Sequence, residues 1–221
     1  MLKMSLDFPD DETYWRKQYA DSVLSSASWV KSARDLVRSL YYLRGPVIGF
    51  FEAAADIDAV CGLPKEKDVH GVYLMISAYA IENLLKALIV RDTRPSLNES
   101  APRLPSVVKG HDLNKLADTA GIATTDAGKE LLARLAHHAV WAGRYPAPMG
   151  MEDLKPAALP GGELSHLRTR RGSDIRSVDA MLIHCFDRLN EAHGINESTR
   201  GYGDSLQPWE RVVIQTGIRP W

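Results

Sequence analysis

Apolar residues recur every three or four positions early in the chain, so that Tyr19, Val23, Ala27, Val30, Ala33, Val37 and Leu40 fall along one helical stripe. The spacing predicts one long amphipathic helix over residues 11–43, interrupted by Gly45 and Pro46. Val47, Ile48, Phe50, Phe51, Ala54, Ile57 and Val60 then predict a second segment that stops near Gly62 and Pro64. A third helix, residues 66–90, is apolar on nearly every side and must be surrounded by the others. Its polar exceptions Glu82 and Lys86 stand four residues apart, close enough to pair with each other. The stretch from Val72 to Val90 has the length of a membrane span, but each ionisable group near its centre would cost about 2.5–3.5 kcal/mol on insertion scales. It reads as a core helix, and no membrane partner is expected.

From 91 to 111 the pattern lapses into Pro95, Pro102 and Pro105, a long connection for a compact domain. Asp112 has the position of an N-cap for a helix over 113–120, with Gly121 as its stop. The next helix, 126–142, turns Leu131, Leu132, Leu135, Ala136 and Ala139 inward and ends at Gly143. A segment rich in Pro and Gly follows over 146–172. Ser173 or Asp174 then starts a last helix with Ile175, Val178, Leu182, Cys185 and Leu189 on its inner face, closed by Gly194. Six helical segments without a convincing alternating strand predict an all-α fold, a single bundle over residues 1–194. The tail, 195–221, is expected to pack on it, with Pro208-Trp209-Glu210 able to open a short helix and residues 211–216 able to form a strand.

Composition narrows the chemistry. The 221 residues are 45% apolar and 25% charged with a formal net charge of -1, so there is no global basic field to gather nucleic acid and any such contact must be local. Cys61 and Cys185 are too far apart for a paired C-x-x-C zinc site, and two such cysteines fit a reducing compartment. No signal-like apolar run opens the chain, and a cytoplasmic location is expected. The phosphate loops G-x-G-x-x-G and G-x-x-x-x-G-K-[ST] are absent, as are H-E-x-x-H and G-x-S-x-G. Seven scattered histidines make no metal-binding set, so neither a metal nor a cofactor is expected.

Three pieces of the bundle carry a positive signal. The central helix reads Ala80-Ile81-Glu82-Asn83-Leu84-Leu85-Lys86-Ala87-Leu88; then comes Gly110-His111-Asp112-Leu113; then Trp141-Ala142-Gly143-Arg144-Tyr145-Pro146. In this order and spacing the chain resembles the HEPN superfamily, over about residues 69–146 and the closing helix to 194. The resemblance implies a helical bundle that often dimerises, whose members act as RNA-cleaving toxins or defence ribonucleases, as RNA- or nucleotide-binding partners, or as inactive scaffolds. It also implies an antitoxin or nucleotidyltransferase as a possible partner. Nuclease members carry R-x(4–6)-H near the last core helix, matched here by Arg188-Leu189-Asn190-Glu191-Ala192-His193. In that reading Arg188 stabilises charge on the scissile phosphate and His193 moves a proton to or from the ribose 2′-oxygen, with no metal. A leucine follows Arg188 where nuclease members usually have a polar residue. A regular helix would also set Arg188 and His193 roughly 140° apart.

Two further groups are candidate contacts for RNA or a nucleotide. Arg134, His137, His138 and Trp141, at i, i+3, i+4 and i+7, are read as one face opposite Leu131 and Leu135, leading into Arg144 and Tyr145. Arginine could take a phosphate there and an aromatic plane a base, although the same residues also suit a subunit interface or internal packing. Arg168, Arg170 and Arg171 form the densest positive patch and could grip a phosphate backbone or simply be solvated. His111 is expected to buttress a neighbouring helix through a hydrogen bond.

Overall fold

A computed structural model describes residues 11–54, 69–97, 103–142, 150–151, 155, 157–158, 164–165 and 171–191. The described residues form α1 (Glu12–Val23), α2 (Ser26–Ala54), α3 (His70–Thr93), α4 (Leu113–Thr119), α5 (Asp126–His137) and α6 (Asp174–Glu191). A single 3-10 turn, Ser106–Val108, precedes α4, and α5 widens into a π turn at His138–Ala142. The fold is all-α. The one ribbon among the described residues is minimal: Ala157–Ala158 pairs antiparallel with Leu164–Ser165.

α3 is the organising element, as its composition requires. Residues on every side of it are buried, from His70 through Tyr73, Leu74, Ile81 and Leu85 to Val90. α2, α4, α5, α6 and the π turn all pack against it, while α1 packs on α2. Among the described residues it is the one helix long and apolar enough to cross a membrane, and that length is used inside the bundle. The inward stripe expected for the last helix is also observed: Ile175, Val178, Leu182, Cys185 and Leu189 are buried, joined by Phe186.

The helix ends follow local chemistry. Asp112 caps α4 by accepting from the Lys115 N–H, and Gly121 adopts φ +66°, a left-handed conformation that an L side chain would strain. Thr125 caps α5 through the Gly128 N–H. At the start of the chain the structure differs from the single helix predicted for 11–43. The break falls at Leu24–Ser25, where the Ser25 hydroxyl accepts from the Ser28 N–H and the Trp29 indole N–H donates to the Val23 carbonyl. A capping serine and an indole satisfy groups that a continuous helix would have paired. Conversely, α2 runs straight through Gly45 and Pro46. Both residues are exposed, and Val47 beyond them is fully buried, so tertiary packing outweighs the hydrogen bond that proline cannot donate.

Candidate functional site

The half-open polar cluster on α3 is built around Glu82. Its side chain is 8% exposed, and the Lys86 Nζ, one turn on and 5% exposed, donates to its Oε1 at 2.6 Å. Lys86 also lies 5.5 Å from the centre of the Trp29 ring, a cation–π contact that ties α2 to the cluster. The third member arrives from the turn before α4. His111 Nδ1 stands 3.1 and 3.0 Å from the two Glu82 oxygens, while its side chain remains 63% exposed. The expected pairing of Glu82 with Lys86 and the buttressing role of His111 are therefore one structure. Beside it Tyr79 donates its hydroxyl proton to the Ala139 carbonyl, fastening the π turn to α3.

A second cluster is closed. Arg134 Nη1 and Nη2 donate to the two Asp174 oxygens at 2.8 and 2.6 Å, a bidentate pair joining α5 to the first turn of α6. Asp174 also accepts the Arg171 backbone N–H, and His70 Nε2 lies 3.7 Å away with Phe51 edge-on to the imidazole. The expectation of Arg134 and His138 on a face opposite Leu131 and Leu135 is corrected: they are 3% and 1% exposed and sit inside with those leucines. The helical wheel gives the reason. At 100° per residue Arg134 and His138 fall about 60° and 20° from Leu131, on its own side. Of that group Trp141 lies in the π turn, with its side chain outside the described residues, as are Arg144 and Tyr145 entirely.

The remaining candidates separate. Arg171 is exposed and its guanidinium pairs with Glu130 at 2.6 and 3.1 Å; Arg168 and Arg170 lie outside the described residues. Arg188 sits on the last turn of α6, where Arg91 Nη1 donates to the Arg188 and Leu189 carbonyls at 2.8 and 3.1 Å. Asp92 takes hydrogen bonds from Arg91, which hold its carboxyl below the usual range against the effect of burial; the Arg91 and Arg188 charges add to the lowering. His193, like the rest of the tail, is outside the described residues. Glu82 and Arg91 are nine residues apart on α3, hence about 13 Å along the axis and half a turn around it. The His111 cluster and the Arg188 region are thus two places, not one.

A third pair went unseen in the sequence. Arg44 of α2 hydrogen-bonds Asp179 of α6 over a small cavity walled by Val37, Leu40, Tyr73 and Leu182. Burial raises the Asp179 carboxyl to about 6 although Arg44 pulls it down, and it raises the Tyr73 phenol. Burial also pushes the Cys185 thiol up to about 12, which makes it a core residue and a poor nucleophile. Among the described residues no group of three or more His, Cys, Asp or Glu could hold a metal ion. No family model, no curated protein and no solved structure matches the chain.

Proposed function

We propose that the chain is an HEPN-like protein that engages RNA or a nucleotide in a stress, toxin or defence setting in the cytoplasm, and that it does so as a homodimer. The observation that supports this reading is the meeting of two motif elements 29 residues apart in sequence: Glu82 of the E-x-x-x-K helix and His111 of the G-H-D-L turn are 3.0 Å apart. Metal-free cleavage is the activity the resemblance attaches to such a protein, and it attaches it to Arg188 and His193. An antitoxin or nucleotidyltransferase would be its partner in that setting.

The experiment is incubation of the purified chain with labelled single-stranded RNA in EDTA, alongside gel retardation at low salt. Retardation that weakens as salt rises supports the reading. Cleavage lost in His193→Ala and Arg188→Ala would assign the chemistry to that pair. Neither retardation nor cleavage would favour a non-catalytic dimerisation or docking module. The burial of Arg134 and His138 supports that second reading, because it removes a cation and an imidazole from the surface where a nucleotide would meet them.

A further inference from the structure

We propose that His111, oriented by Glu82, is a general base for attack by a ribose 2′-hydroxyl, a role the R-x(4–6)-H resemblance gives to no residue of this turn. The inference rests on the RNA reading and moves the proton transfer to a described site on the other side of α3 from Arg188.

The argument begins with the tautomer. A carboxylate can only accept hydrogen bonds, so the His111 nitrogen lying 3.0 Å from Glu82 must carry its hydrogen on Nδ1. The lone pair of the neutral ring is then on Nε2. Because the Nδ1 edge faces a carboxylate that is 8% exposed while the ring as a whole is 63% exposed, the opposite edge is the one presented to solvent. Glu82 cannot swing away to release it. Lys86, itself set against the Trp29 ring, holds the carboxylate from the inner side, and the cluster stands on α3, the most deeply packed element of the fold. This is the division of labour of a carboxylate–imidazole dyad: the acid fixes tautomer and direction, and the outer nitrogen takes the proton. Lys109, exposed on the same turn, supplies positive charge for an approaching phosphodiester, while Lys115, in the first turn of α4, is paired with Asp112 at 3.1 Å.

The step balances without a metal or a redox partner. Nε2 accepts the 2′-hydroxyl proton as the 2′-oxygen bonds to phosphorus. The phosphorus–5′-oxygen bond breaks, the departing oxygen takes a proton from water, and the imidazolium returns its proton to the hydroxide left behind. The products are a 2′,3′-cyclic phosphate and a 5′-hydroxyl.

The test uses the full chain with labelled single-stranded RNA in EDTA, and a matched RNA carrying a 2′-deoxy residue at the cleaved position. Cleavage to the cyclic phosphate is expected for the first RNA and none for the second. His111→Gln should lower the rate at least about 100-fold with RNA retardation retained. Glu82→Gln should lower it about 10–100-fold. The inference is overturned if His111→Gln cleaves like the wild type, if only His193→Ala is inactive, or if the wild-type chain retards RNA and leaves it intact. Absence of both retardation and cleavage overturns the RNA reading itself, and this inference with it.

Discussion

Asp174 and Glu82 are both buried carboxylates that meet a cation from the helical framework, yet one pair is sealed and the other is open. Arg134 fills both oxygens of Asp174, the Arg171 N–H adds a further donor, and the group is 1% exposed. Glu82 has its Lys86 on the inside, but its second partner is the largely exposed ring of His111. The sealed pair has no way to meet a ligand and works as a clasp between α5 and α6. The open one ends in a titratable ring at the surface, which is where chemistry can be done. Position relative to solvent, rather than residue type, separates the two.

The largest effect should come from breaking the clasp. Arg134→Met leaves the Asp174 charge buried without its guanidinium and should cost about 3–5 kcal/mol in urea unfolding. Adding Asp174→Leu should recover much of that loss, because the uncompensated charge is gone. A loss below about 1 kcal/mol in the single variant would remove the distinction between the two clusters. Lys86→Met comes next: it strips Glu82 of its inner donor and Trp29 of its cation, at about 2–3 kcal/mol by the same measurement.

The third effect is one of slope. The folded chain holds a proton on Asp179 up to about pH 6, whereas the ordinary value is 3.8. The group's contribution to stability is therefore fully present below about pH 4 and is lost as pH rises through 6. Asp179→Asn should flatten the pH dependence of unfolding over that window, and an unchanged slope would refute the assignment. The smallest effect belongs to His111→Gln. An exposed ring should change stability by no more than about 0.5 kcal/mol, so any loss of cleavage in that variant is chemical, not structural.

The fold was largely legible because periodicity reports burial. The all-round apolar character of α3, the stripe of α6 and the cap at Asp112 each follow from spacing and short-range chemistry. What escaped depends on partners far away in sequence. Nothing in the neighbourhood of Arg44 announces Asp179, 135 residues on, and nothing near Arg134 announces Asp174. The break at Ser25 was readable in principle from its two adjacent serines, but the stripe through Val23 and Val30 concealed it. Pro46 misled in the opposite direction, since the packing of Val47 keeps α2 going past it. For the site, Glu82 and Lys86 were visible as polar exceptions in an apolar helix, and His111 as a turn residue expected to buttress a neighbouring helix. That the carboxylate would take both Lys86 and His111 as partners, and that the ring would remain exposed, required the turn before α4 to be placed against α3.

The most direct test of the account is a nitrogen-15 NMR measurement of the His111 ring in the folded chain, compared with Glu82→Gln. The structure predicts a proton on Nδ1 of the ring, with a hydrogen bond to Glu82 that is lost or weakened in the variant. A ring whose proton is on Nε2 alone, or one whose spectrum is the same with and without the Glu82 carboxylate, would contradict it.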